Sequence, residues 1–172
     1  MKNFIAPLLF TLLTGFVSEA ATQVMPTNAP TRIELRDQYD TTQTLTFPTT
    51  NIIVLTIADK RGAEEIAGWI SMLKSRYSGR VEIRGLADVG GVPGFLQGKI
   101  RKKFQASHTY PVMLDWSGNV CAQFGYEKNV ANILILGRDG TILGRSTGPA
   151  TEQAIHDFDS LLEKHLPSPA KH

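Results

Sequence analysis

The chain has 172 residues, 42% of them hydrophobic and 20% charged, which suits one globular domain with a real core. Its net charge of +2 gives no electrostatic drive toward nucleic acid. A single cysteine, Cys121, rules out an internal disulfide framework, and the scattered histidines (His108, His156, His165 and His172) lack metal-ligand spacing, so neither a metal nor a cofactor is expected.

Residues 1–20 read as a bacterial secretory signal peptide. Lys2 supplies a positive start, 4–17 is mostly apolar, and Ser18-Glu19-Ala20 offers small residues for cleavage after Ala20. The apolar run is shorter than the ~20 residues of a spanning helix, and no other segment could cross a bilayer. The expectation is a periplasmic or secreted protein without stable membrane insertion once the signal is removed. Residues 21–31, with two prolines and many small polar residues, read as a flexible lead-in.

From Arg32 the chain alternates polar and apolar residues through Ile33 and Leu35, and again through Leu45 and Phe47. That pattern predicts a β-hairpin at the sheet's edge. Residues 52–57 (IIVLTI) are apolar without alternation, as in a central strand covered on both faces. Ala63, Ile66, Ala67, Ile70, Leu73 and Tyr77 then recur at helical spacing. Val81, Ile83 and Leu86 mark another strand, followed by the glycine-rich run ADVGGVPG. Residues 95–104 form a helix with Lys99, Arg101, Lys102 and Lys103 on its polar side. Residues 111–114 are a short strand, 119–126 a helical turn, 132–136 a buried strand. Gly137-Arg138-Asp139-Gly140 is a hairpin turn and 141–145 pairs back. A last helix runs from Thr151, its N-cap, to about Lys164. The domain is expected over 32–166, with a frayed tail at 167–172. The order is β-hairpin, β, α, β, α, β, β-hairpin, α. It predicts an α/β fold with a mixed parallel/antiparallel central sheet, an N-terminal β-hairpin and helices on both faces.

Asp59, Lys60 and Arg61 stand where a central strand ends and a helix begins, the usual place for chemistry in α/β proteins. A helix N-terminus beside two cations could take a carboxylate, phosphate or acidic segment. Equally, Asp59 could cap the helix while Lys60 and Arg61 stay solvated. Cys121 is either a redox-active thiol, forming a mixed disulfide or a sulfenate, or a small buried core residue. The basic helix could dock an acidic protein partner or simply be a solvated face. Tyr110 and Trp116 either expose an aromatic patch or pack beside the turn they flank. The glycine-rich run lacks the residues of a phosphate loop and reads as a mobile loop over the functional edge.

Three stretches carry a resemblance. DQYDTTQTLTF is similar to the hairpin that opens redoxin and peroxiredoxin-type domains. PVMLDWSGNVCAQFGY resembles their Pro-Val-x-x-Asp-x-x-Gly-x-x-Ala-x-x-x-Gly insert, and NVANILILGRDGTILGRSTG resembles their last hairpin. The chain thus resembles the thioredoxin-like superfamily over about 32–165, in its redoxin/peroxiredoxin (AhpC/TSA-type) branch, and from about 85 to 166 also the exported YtfJ-type proteins. The resemblance implies a thioredoxin-like three-layer fold and thiol-based antioxidant or oxidoreductase chemistry, which only Cys121 could supply. The departures imply the opposite. Family members carry a cysteine or a Cys-x-x-Cys at the strand-to-helix junction, where this chain has ADKRGA. The cis-proline expected opposite it aligns with Ala131. The reading is therefore a binding or accessory module that has lost its dithiol, with Asp59, Lys60 and Arg61 as its binding residues.

Overall fold

The computed structural model describes residues 25–167, so the expected signal peptide, residues 21–24 of the expected lead-in and residues 168–172 of the expected tail lie outside the described residues. In chain order the elements are β1 (Arg32–Arg36), β2 (Thr42–Thr46), β3 (Ile53–Ala58), α1 (Ala63–Tyr77), β4 (Glu82–Asp88), α2 (Gly94–Ser107), β5 (Val112–Asp115), α3 (Asn119–Gln123), β6 (Asn132–Leu136), β7 (Ile142–Thr147) and α4 (Glu152–Glu163). The main sheet has the order β5-β4-β3-β6-β7. β3, β4 and β5 run parallel, while β6 is antiparallel to both β3 and β7.

The β-branched run of β3 is buried at every position because the sheet is covered twice. Ile53, Leu55 and Ile57 face one side with Leu86, Met113, Leu134 and Leu136. Ile52 and Val54 face the other with Ile133 and Ile135. On that second face α1 and α4 lay down Trp69, Leu73, Phe158 and Leu162. The Trp69 and Phe158 rings meet edge to face at 5.3 Å, and the indole N–H of Trp69 donates to the Gly148 carbonyl at 2.9 Å. Truncating a ring so enclosed costs about 3–5 kcal/mol. The strand register puts Ala87 and Leu114 on this same face, where Ile100 and Phe104 of α2 pack on them. The first face is closed by Ile33 and Leu45 of the hairpin together with Cys121 and Phe124. Three layers result. α4 starts as its sequence predicts, with the Thr151 hydroxyl accepting the Ala154 N–H at 3.2 Å.

Two placements differ from the sequence reading. The hairpin is not a continuation of the main sheet. β1 and β2 form their own antiparallel pair, laid across the first face and bridged to the sheet at Asp37–Met113. Gln38, fully buried, explains the join. Its Oε1 accepts the Val112 N–H at 2.8 Å, its Nε2 donates to the Tyr110 carbonyl at 2.8 Å, and so it covers part of the β5 edge. Residues 25–31, the described part of the lead-in read as flexible over 21–31, run along the opposite edge instead. The Ala29 N–H donates to the Gly140 carbonyl and the Ile142 N–H to the Thr27 carbonyl, both at 2.8 Å. Arg145 fixes the segment by donating to the Pro26 carbonyl at 3.0 Å and the Phe124 carbonyl at 2.7 Å. The prolines favour the extended backbone that such edge pairing needs.

Candidate functional site

β3, β4 and β5 deliver their C-terminal ends to one edge of the sheet, and an aspartate stands at each: Asp59, Asp88 and Asp115. Each turns back onto the backbone of the loop that follows. Asp59 Oδ1 accepts the N–H groups of Arg61 at 3.0 Å and Gly62 at 2.9 Å. Asp88 Oδ1 accepts the Gly90 N–H at 2.8 Å. Asp115, fully buried, accepts the N–H groups of Ser117, Gly118, Val120 and Cys121 and the Ser117 hydroxyl. Short acidic side chains close turns in this way because the carboxylate can mimic a backbone carbonyl.

At the β3–α1 junction this occupies the backbone donors of residues 61–65. The N–H groups of Arg61 and Gly62 go to the Asp59 carboxylate, and those of Ala63, Glu64 and Glu65 go to the carbonyls of Asp59, Arg61 and Gly62. The helix terminus expected to offer donors has filled them with the chain's own acceptors. Asp59 is thus the cap of the turn that leads into α1. Burial works against its ionisation, but the N–H groups of Gly62, Asn129 and Arg61 and the charge of Lys128 outweigh it and hold its carboxyl below the usual range. Lys60 and Arg61 project from the same turn, exposed, with Lys128 exposed on the loop opposite. None of the three makes an ion pair among the described residues.

Ala131 does lie opposite the junction, as the alignment predicts, and its peptide bond with Val130 is trans. The contact is closer than the sequence suggests. A Cβ added at Gly62 would stand 2.1 Å from the Val130 carbonyl oxygen and 3.0 Å from the Ala131 nitrogen. Two carboxylates of the junction bind this loop. Asp59 Oδ2 accepts the Asn129 N–H at 2.8 Å, and Glu65 Oε2 accepts the Ala131 N–H at 2.9 Å. Where a thiol and a facing proline would leave a groove, this chain has a glycine pressed on a carbonyl and two carboxylate straps.

Cys121 lies beneath the Asp115 turn, fully buried on the five-residue α3, and not at the junction. Burial first, then the charges of Asp115 and Asp88, push its thiol far above the ordinary range. It is protonated and shielded, the reverse of a nucleophilic cysteine. Beside it the Tyr126 hydroxyl donates to Asp88, and burial with that bond and charge keeps the phenol protonated. Tyr110 and Trp116 are half-buried and do not form an open patch. Lys74 lies over the Tyr110 ring at 4.9 Å and Arg101 over Trp116 at 5.7 Å. The glycine-rich loop is pinned at its start by Asp88. Gly62, Glu65, Asn129 and the Asp88–Tyr126 pair were not singled out from the sequence. The recurrence of Ile-Ala-Asp, Leu-Ala-Asp and Met-Leu-Asp at 57–59, 86–88 and 113–115 was the available signal. No group of acids, histidines or cysteines among the described residues is arranged to hold a metal.

No family model and no curated protein matches the chain. Solved structures do. StoA from Bacillus subtilis aligns with a TM-score of 0.59 at 15% identity, over 80% of this chain and 99% of its own. The exposed lipoprotein thioredoxin Etrx1 from Streptococcus pneumoniae aligns at 0.56 and 14%, over 77% and 98%. Peroxidoxin BcpB from Mycobacterium tuberculosis aligns at 0.54 and 18%, over 80% and 94%. The chain has the thioredoxin-like fold, built as a mixed α/β sheet of five strands with a separate two-stranded hairpin.

Proposed function

We propose that this chain is an exported, non-catalytic binding or accessory module built on the thioredoxin-like fold. The observation that carries the reading is the sealed junction. Gly62 sits under the Val130 carbonyl, and Asp59 and Glu65 hold the facing loop through Asn129 and Ala131. A thiol chemistry needs a thiolate at a helix start with room for a second sulfur; this edge offers neither. Lys60 and Arg61, which keep their charges free, are the residues for contact with an acidic segment of a protein partner or a small anion. Recognition then rests on flexible side chains and not on backbone donors, so it is weak and salt-sensitive. Export is supported by the pattern of residues 1–20. No described helix is long and apolar enough to cross a membrane.

The rival reading is a thiol-dependent oxidoreductase using Cys121, and the names of the structural neighbours favour it. One experiment separates the two. The chain and its Cys121→Ser variant are assayed for insulin reduction and peroxide consumption, and an acidic peptide is titrated into the chain and into Arg61→Ala while amide resonances are followed. The expected result is turnover at background for both thiol states, with peptide-induced shifts around 60–62 that Arg61→Ala abolishes. Turnover that disappears in Cys121→Ser would overturn the module reading. Identical titrations for the chain and Arg61→Ala would remove Arg61 from the binding surface.

A further inference from the structure

α2 is a helix of fourteen residues in which no residue is fully buried. Its inner side is accounted for. Ile100 and Phe104, one turn apart, rest half-buried on Ala87, Val112 and Leu114. Arg101 also turns inward, pairing with Asp40 at 2.9 Å and lying over Trp116. The outer side has a different pattern. Residues at i, i+4 and i+7 share a face, so Phe95, Lys99 and Lys102 form one stripe, with Lys103 beside it. Phe95 is 85% exposed and Leu96, on the same turn, is 37% exposed. None of the three lysines makes an ion pair among the described residues. No acidic residue occurs anywhere between Asp88 and Asp115. Exposed apolar side chains beside an uncompensated cationic stripe are the pattern of a helix that lies at a membrane interface.

We propose that the outer face of α2 is a peripheral docking surface for an anionic phospholipid bilayer, with Phe95 entering the interface and Lys99, Lys102 and Lys103 meeting the head groups. The charge is of one sign and spread along a single stripe, which complements a continuous anionic surface. The shape agrees. Phe95 stands on a convex helix face, and the space beside its neighbours Gly94 and Gly98 is open. A protein partner would have to offer a preformed pocket for the ring, whereas a fluid interface moulds around it. The surface is separate from the sealed junction, and nothing in this proposal depends on the junction's role.

The test is co-sedimentation of the purified chain, its N-terminus fixed by mass spectrometry, with two kinds of vesicle: phosphatidylcholine alone, and phosphatidylcholine containing one third phosphatidylglycerol. Lys99→Glu/Lys102→Glu/Lys103→Glu and Phe95→Ser are compared with the parent chain. All four positions are exposed, and unchanged circular dichroism confirms folding. Binding is expected only to the anionic vesicles and is weakened by salt. Each lysine lost reduces affinity about fivefold, so the triple charge reversal lowers it more than about a hundredfold. Phe95→Ser lowers it at least about tenfold. Equal binding to both vesicle kinds, or anionic binding unchanged in the triple variant, would overturn the proposal. So would absence of vesicle binding with a polyglutamate peptide shifting the amides of 95–103, which would assign the surface to an acidic protein instead.

Discussion

Asp59 and Asn129 are separated by 70 residues in the chain, and Asp59 Oδ2 accepts the Asn129 N–H at 2.8 Å while Asp59 Oδ1 caps the turn into α1. One carboxylate therefore fixes both walls of the edge. Asp59→Ala is expected to cost about 1–2 kcal/mol in a urea melt, the usual loss of a cap with one further bond. Asp59→Asn should recover part of it. Equal midpoints for the parent and Asp59→Ala would show the bond to be incidental.

Gly62 gives the sharper steric test. Its φ of −60° is available to any residue, so only space excludes a side chain. Gly62→Ala places a methyl 2.1 Å from the Val130 carbonyl oxygen, against backbone that is itself held at Asn129 and Ala131. A loss of about 3 kcal/mol is expected. Gly62→Cys should behave in the same way and gain no redox activity. A change within about 0.5 kcal/mol would mean that the 129–131 loop yields freely.

Asp115 sets the acid limit. Burial raises its carboxyl, but the Cys121 N–H, the Ser117 hydroxyl and the Val120 N–H together hold it below the usual range. A carboxyl depressed in the folded state contributes fully above its unfolded value of about 3.9, and the contribution is lost as pH falls through the lower folded value. Asp59 titrates with the same sign. Stability measured against pH should therefore fall below about pH 4. Asp115→Asn turns an amide donor toward the N–H groups of Ser117 and Gly118 or of Val120 and Cys121. It should lose about 2–3 kcal/mol at neutral pH and show a shallower acid slope. An unaltered slope would place the titrating carboxyl elsewhere.

Cys121 should report on opening of the fold. With its thiol buried and protonated beside Asp115, a thiol reagent at neutral pH is expected to label it only at the rate of unfolding, and at once in denaturant. Cys121→Ala should cost about 1–2 kcal/mol through the small void left against Phe124 and Leu134. Rapid labelling of the native chain would contradict the buried placement.

The sequence made the layered fold legible where the signal is local. The unbroken apolar run of β3, the 3.6-residue stripes of α1 and α4, the turn at Gly137–Gly140 and the Thr151 cap all depend on neighbours a few residues away. It was less informative where partners are distant. The alternation of β1 and β2 predicts a hairpin but not that Gln38 would seat it across the first face. The prolines of 26–30 mark an irregular segment, yet its partners are Gly140 and Ile142, more than a hundred residues on. At the site, the type of junction and the facing position of Ala131 could be read by resemblance. The direction in which Asp59 and Glu65 turn could not, because a carboxylate beside a helix start binds either a guest or its own backbone. Only the placement of Asn129 and Ala131 decides between them.

The straps from Asp59 and Glu65 have a consequence for how the edge breathes. Asn129 and Ala131 lie outside the sheet ladders, where amide hydrogens ordinarily trade with water freely, yet each is bonded to a side chain rooted at the start of α1. Their exchange should be tied to release of that first helical turn, making loop and helix start a single cooperative unit. Asp59→Ala, by cutting one strap, should quicken exchange at the Asn129 amide while the protection of β3 and β6 persists.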